Sequence, residues 1–276
     1  MSRVDVVRVD SALGFNQVFR PLKRVAHGKR PKLDVEFPWK GASIRFSAPN
    51  QLDIGDQAVL LAVLQVVQEH AKEACLRAEQ TGSSRLERLL ELSGTKFGET
   101  HVLVEVSLRQ LARLVNDSGC AGGSSTARIQ QSLVRLAETT VWLKEGKTCG
   151  SSRLIGWEVG DEKKVALTVN WRLVGALLGH AYSKVLMTER WMLPGELPKA
   201  LHFVLSCQLK PGVKRQYGLE TLQRLLWGDV PTGAASRQRR VRLLNAVRAL
   251  GGLEGWCVLV KGSLVEITRK QISFAT

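Results

Sequence analysis

The feature that most limits what this chain can become is a repeat inside it. Laid over each other, Ser107-Leu-Arg-Gln-Leu-Ala-Arg-Leu-Val115 and Gly218-Leu-Glu-Thr-Leu-Gln-Arg-Leu-Leu226 bring Leu108, Leu111, Arg113 and Leu114 onto Leu219, Leu222, Arg224 and Leu225. Downstream, Ile129, Leu133 and Leu136 keep the spacing of Leu243, Val247 and Leu250. Apolar residues three and four apart mark the buried face of a helix. One such helix pair would mean only a core; two pairs in the same order mean a duplicated unit.

The periodicity predicts helices over 107–115 and 124–138 in the first copy, and over 219–226 and 236–250 in the second,. Glycine-bearing turns at 116–123 and 227–233 separate the members of each pair, and Gly251-Gly252 stops the last helix,. Strands are expected after each pair. In the first copy they fall at 141–143, 153–159 and 163–169, with a Gly, Ser and Lys loop between the first two; in the second they form a hairpin of 256–260 and 264–268 around Lys261-Gly262-Ser263,. Short helix, turn, longer helix and strand pair is the order of a winged helix-turn-helix. The expected fold class is α+β: two tandem winged-helix (wHTH) domains related by a pseudo-repeat. Residues 1–50 form a basic N-terminal arm and hairpin, 51–180 the first winged-helix domain and 181–276 the second.

The rest of the chain frames the repeat. Segments 33–37 and 43–46 alternate apolar and polar residues about a turn at 38–41, which predicts a hairpin,. Val59, Leu60, Val63, Leu64, Val67 and Ala71 predict a long helix over 52–79, opened by Gly55-Asp56,. The segment 81–100 reads as turn-rich with a short amphipathic piece at 86–92. A short strand at 183–187 and a helix at 198–209, ended by Lys210-Pro-Gly212, precede the second copy,. The first fifty residues look loosely organised. No acid occurs from Ser11 to Leu33, while Arg20, Lys23, Arg24, Lys29, Arg30 and Lys32 accumulate, as in a solvated arm or a phosphate-binding one,.

Charge selects the class of partner. Forty Lys and Arg against 25 Asp and Glu leave a net charge of +15, and the commonest reason to carry that is a nucleic acid,. A hydrophobic content of 44% is enough for real cores,. Cys75, Cys120, Cys149, Cys207 and Cys257 are scattered and never spaced C-x-x-C, which argues against a disulfide framework or a zinc site and for idle thiols in a reducing cytoplasm,. The start MSRVDVVRVDS lacks the apolar run of a signal peptide, and no stretch approaches the roughly 20 apolar residues of a membrane span,. There is no phosphate-binding loop of the G-x-x-x-x-G-K-[ST] type,. His27, His70, His101, His180 and His202 stand alone, and Tyr182 and Tyr217 lie near no histidine cluster, which speaks against a tyrosine nicking nucleophile,. The chain is expected to be no enzyme and to need neither metal nor cofactor.

The faces opposite the leucine stripes carry the recognition chemistry. With Leu243, Val247 and Leu250 inward, Gln238, Val241, Arg242 and Asn245 point outward,. With Ile129, Leu133 and Leu136 inward, Ser124, Ala127, Arg128, Gln131 and Arg135 do,. Arg128 and Arg242 are equivalent, as are Gln131 and Asn245. Arginine reads guanine O6 and N7 bidentately, and Asn or Gln reads adenine N6 and N7. Small residues at the helix starts, Ser124, Ser125, Ala234 and Ala235, allow close approach to DNA. Arg237, Arg239 and Arg240 surround the start of the second helix, where the dipole prefers anions, and no acid occurs between 230 and 253; they are expected to face phosphates, or else to be a solvated basic face,. At the strand-pair tips, Lys144 and Lys147 in one copy and Lys261 in the other would touch a phosphate or simply guard a strand edge.

These residues resemble a known family. Leu33-Asp-Val35, Ile44-Arg-Phe-Ser47 and the long helix after Leu52 are similar to the start of the IncQ-type plasmid replication initiator RepC, and Arg237-Gln-Arg-Arg-Val-Arg242 after Leu226-Trp-Gly228 resembles its C-terminal end. The resemblance spans most of the chain, loosely in any one motif but in consistent order. It implies a bacterial, cytoplasmic protein that binds directly repeated origin sequences (iterons) in double-stranded DNA, promotes opening of an adjacent AT-rich region, and helps load a plasmid-encoded helicase and primase. It also implies tandem winged-helix domains and a homodimer in the absence of DNA. A winged-helix transcriptional repressor or autoregulator with no direct replication role is the alternative.

Overall fold

The structure is a computed structural model that describes residues 5–15, 17–22, 30–81, 102–116, 123–159, 164–177 and 182–271. The amphipathic piece expected at 86–92, most of the turn at 116–123, and Lys23, Arg24 and Lys29 lie outside the described residues. The chain opens with β1 (Val6–Asp10), a 3-10 turn (Ser11–Gly14) and β2 (Phe19–Arg20). The hairpin β3 (Leu33–Trp39) and β4 (Ala42–Ala48) follows, with Lys40 and Gly41 both at positive φ (50° and 84°). That is the requirement of a two-residue type I′ turn, whose twist matches the strands.

After β5 (Leu52–Asp53), which pairs in parallel with β2, comes the long helix α1 (Ile54–Thr81). Its start is locked reciprocally: the Asp56 amide donates to Asp53 Oδ1 at 2.8 Å and the Asp53 amide donates to Asp56 Oδ2 at 3.0 Å, a capping box built from two aspartates,. Leu60 through Leu64 are all buried, so this stretch of the helix is covered on every side and forms the centre against which other elements pack,.

The first copy comprises β6 (Val102–Ser107), α2 (Leu108–Asn116) and α3 (Gly123–Glu138), then β7 (Thr140–Glu145), β8 (Thr148–Arg153), β9 (Ile155–Val159) and β10 (Lys164–Val169). Then come α4 (Trp171–Leu177), β11 (Tyr182–Leu186) and α5 (Met187–Met192). The second copy follows: α6 (Glu196–Gln208), β12 (Lys214–Gly218), α7 (Leu219–Trp227), α8 (Gly233–Gly251), β13 (Trp256–Lys261) and β14 (Leu264–Arg269). Both copies close an antiparallel three-stranded sheet in the same order, β6-β10-β9 and β12-β14-β13. The leading strand of each sheet runs straight into the first helix of its pair, and the last two strands follow the second helix.

That topology corrects the expected pairing of strands in the first copy. The counterparts of β13 and β14 are β9 and β10, not the strands on either side of Lys144 and Lys147. The hairpin β7–β8 is an insertion between α3 and β9, and the segment expected as a loop at its second strand is extended. It joins β3 and β4 in a four-stranded sheet of order β3-β4-β7-β8.

The first fifty residues are integrated rather than loose where they are described. β1 pairs antiparallel with β11, Val6 opposite Leu186 and Asp10 opposite Tyr182, and Asp10 accepts from Arg172 Nε at 2.7 Å. A Cβ on Gly14 would overlap the Cys207 side chain, so only glycine allows the turn to sit this close to α6,. Strands from residue 6 and residue 182 thus share a sheet across the boundary expected at 180, and those from 33 and 140 share one across the boundary expected at 50.

Candidate nucleic-acid interface

Leu243, Val247 and Leu250 of α8 are buried, and so are Ile129, Leu133 and Leu136 of α3. The opposite faces carry what the spacing predicted. Gln238, Arg242 and Asn245 are exposed on α8, Val241 among them at 58%, and Ser124, Arg128 and Gln131 are exposed on α3. Ser125 is half-buried. Asn245 Oδ1 accepts from Arg248 Nη1 at 3.2 Å, which leaves its amide nitrogen to donate,. Arg–Asn–Gln faces of this kind offer paired donors and acceptors at base-edge spacing.

Helix α8 begins three residues earlier than the periodicity predicts. Its first turn is Gly233 to Ser236, Thr232 makes no side-chain cap, and no acid lies in the first turn. Arg237, Arg239 and Arg240 are therefore in the second turn, and the dipole conflict expected at the extreme start is weaker than the sequence suggests. Gly233 takes φ +65° with open space where a Cβ would sit.

The three arginines separate. Arg237 is exposed. Arg240 is exposed and reaches the turn between β13 and β14, where its Nη2 donates to the Gly262 carbonyl at 3.5 Å. Arg239 is claimed by its own fold: its side chain is only 27% exposed, its Nη1 lies 2.7 Å from Asp229 Oδ1, and its guanidinium stacks 5.3 Å over the Trp227 ring. It is a brace between α8 and the turn before it, not a free phosphate contact. Lys261, exposed at the end of β13, flanks the Gly262 turn as expected.

Arg135 is the clearest correction. The wheel points it outward, but the structure turns it onto Asp56, with Arg135 Nη2 2.7 Å from Asp56 Oδ1 and side-chain exposures of 18% and 0%. Arg30 closes the same carboxylate from the other side at 2.8 Å, so this part of the basic arm is also structural. Burial works to raise the Asp56 pKa, but the hydrogen bonds and charge of Arg135 win and hold it below the usual carboxylate range,.

Lys144 and Lys147 are exposed on the inserted hairpin. Topologically the second copy's Lys261 turn matches 160–163, which lie outside the described residues. One exposed aromatic was missed. Trp142 sits between buried Val141 and half-buried Leu143, and strict alternation over those three residues already turns it outward,. Beside it a cleft of about 290 Å³ is lined by Lys32, Arg45, Ser47, Glu138, Trp142 and Arg153.

Three comparisons bear on this arrangement. The family model for replication protein C (RepC) matches residues 4–271. Among solved structures, the selenomethionine derivative of domains 2 and 3 of RctB is similar at a TM-score of 0.56 and 11% identity, covering 95% of this chain and 99% of that one. A second RctB domains 2–3 structure gives 0.51 at 13% identity, covering 95% and 97%. At such identities the likeness is one of fold. No curated protein matches the sequence. Among the described residues, no helix is long and apolar enough to cross a membrane.

Proposed function

The chain belongs to the replication protein C (RepC) family, and from that premise we propose that it is a non-catalytic plasmid replication initiator that binds iteron repeats in duplex DNA. The two units read as tandem winged helices, with α3 and α8 as recognition helices. The observation that carries this is the pair of exposed faces, Arg128–Gln131 on α3 and Gln238–Arg242–Asn245 on α8, each directly opposite a buried stripe. A single basic helix would adhere to any duplex; two equivalent faces with base-reading side chains call for an extended site.

Roles divide by chemistry. Arg128, Arg242, Gln131, Gln238 and Asn245 read base edges. Ser124 and Ser125 let the start of α3 approach the backbone, and Arg237, Arg240 and Lys261 hold phosphates around α8 and its wing. Binding would be followed by opening of an AT-rich segment and delivery of a plasmid-encoded helicase and primase, with a homodimer as the DNA-free form. The test is a mobility shift on tandem repeats lying beside helicase and primase genes, followed by a permanganate assay for unpaired thymines. Specific shifts with opening support the initiator reading. Specific shifts on a promoter with no opening at an origin favour the repressor, and no specific shift overturns both.

A further inference from the structure

The inserted hairpin β7–β8 has no counterpart in the second copy and adds nothing to the three-stranded sheet of its own. It extends β3–β4 instead. One face of the resulting sheet packs inward through Phe37, Ile44, Phe46 and Val141. On the other face the register sets Arg45 opposite Trp142, and Ser47 opposite Thr140, which is in turn opposite Arg153. Lys144, two residues along β7, shares that face. Trp142 is 40% exposed on an inner strand of the sheet, and its indole Nε1 donates to Ser47 Oγ at 3.1 Å, which fixes the ring. A large aromatic turned to solvent and held in place contributes little to a core, and the cleft beside it carries three cations, Lys32, Arg45 and Arg153, against one acid, Glu138,.

Charge on this face is graded. Of the acids on its strands, Asp34 and Glu36 are on β3 and Glu145 ends β7; Asp34 takes a bidentate pair from Arg45 at 2.7 and 2.8 Å and lies 3.7 Å from Lys32 Nζ, an exposed pair. Among the described residues neither Lys144 nor Arg153 has a carboxylate ion pair, although Glu138 lines the cleft: Arg153 donates to the Glu138 carbonyl at 2.8 Å and the Thr140 hydroxyl at 3.0 Å. Cations beside an exposed ring suit a polyanion with free aromatic faces. In a duplex those faces are stacked on each other; in a single strand they are available.

We propose that the outer face of the β3-β4-β7-β8 sheet binds single-stranded DNA, with a base stacked on Trp142 and phosphates held by Lys32, Lys144 and Arg153. The site goes beyond the duplex reading and uses neither the exposed Arg128–Gln131 face of α3 nor that of α8, touching α3 only at its last residue, Glu138, so the two stand or fall separately. The site takes any base, because stacking reads no edge.

The experiment follows the anisotropy of a fluorescein-labelled oligo-dT and, in parallel, of a labelled repeat duplex, with the full chain. Wild type binds oligo-dT. Trp142→Ala weakens that binding at least fivefold and Trp142→Phe keeps most of it, while the duplex affinity and the thermal melt of both variants match wild type. Lys144→Glu weakens oligo-dT binding and flattens its salt dependence. The proposal is overturned if wild type ignores oligo-dT, if Trp142→Ala binds it normally, or if oligo-dT and duplex are weakened alike. A wild type that binds oligo-dT but no specific duplex would sink the two-helix reading and leave this one in place.

Discussion

Arg135 Nη2 lies 2.7 Å from Asp56 Oδ1, and Arg30 Nη1 lies 2.8 Å from the other oxygen of the same carboxylate. One buried acid thus ties the arm before β3, the start of α1 and the helix α3 into one joint. Asp56→Asn leaves Arg135 half-buried without a counter-charge, while Arg30 keeps its pair with Asp53. The expected cost is about 2–4 kcal/mol, below the usual loss for a fully buried pair because both guanidinium groups keep some contact with water. Urea unfolding measures it as a lower midpoint at unchanged slope.

The same joint separates structure from recognition. Arg135→Ala should lower the urea midpoint while leaving the ratio of specific to nonspecific DNA affinity at its wild-type value. A variant of normal stability with relaxed sequence choice would return Arg135 to the DNA face.

Acid should loosen the second copy. Glu189 Oε2 accepts from His202 Nε2 and Trp256 Nε1, both at 2.9 Å, deep between α5, α6 and β13. Burial pushes the His202 pKa below its ordinary 6.5; the Glu189 carboxylate opposes this, and the charges of Arg190 and Arg269 reinforce it. Burial would raise Glu189, but its bonds from His202 and Trp256 hold it below its ordinary 4.5. For both groups the folded pKa is lower than the unfolded one, so the unfolded chain binds more protons. Stability is fully present above 6.5, and falls first as His202 must charge on unfolding and then further as the carboxylates titrate,. The melting temperature should therefore drop between pH 7 and pH 5, and His202→Gln should flatten that segment of the curve.

What the sequence revealed and what it hid follow one rule. Burial within a helix is a local pattern, so the stripes Ile129–Leu133–Leu136 and Leu243–Val247–Leu250 and the exposure of Arg128, Gln131, Arg242 and Asn245 were legible from spacing alone. Partners across the chain leave no local trace. Nothing near Val141 says that β7 pairs with β4 rather than serving as a wing, and nothing near Arg135 names Asp56. Strand β12, Lys214 to Gly218, went unseen because only Tyr217 and Gly218 escape full exposure in it, which leaves no alternation to detect,. Arg239 reads from the sequence as a phosphate contact because it lies in a basic, acid-free run; only the fold places Trp227 and Asp229 beside it.

That difference is measurable at Arg239. Its ring contact and ion pair are both partly exposed, so Arg239→Ala should cost about 1 kcal/mol of stability. Sequence preference should stay as in wild type, and any fall in affinity should be shared by all duplexes. Selective loss on one repeat sequence would make Arg239 a reader.

Lys261 should behave as a pure phosphate contact. Lys261→Ala is expected to weaken specific and nonspecific duplexes in equal proportion and to lower the slope of log K against log salt by about 1. Mobility shifts at several salt concentrations check both.

The central claim is that one chain reads duplex DNA with both α3 and α8. Methylation interference at guanine N7 on a single repeat, with wild type, Arg128→Ala and Arg242→Ala, addresses it most directly. Two separate sets of guanines should interfere in wild type. Arg242→Ala should erase one set, Arg128→Ala the other, each with a loss of about 1–3 kcal/mol in specific binding. A single set in wild type, or the same set erased by both substitutions, would contradict the two-reader account.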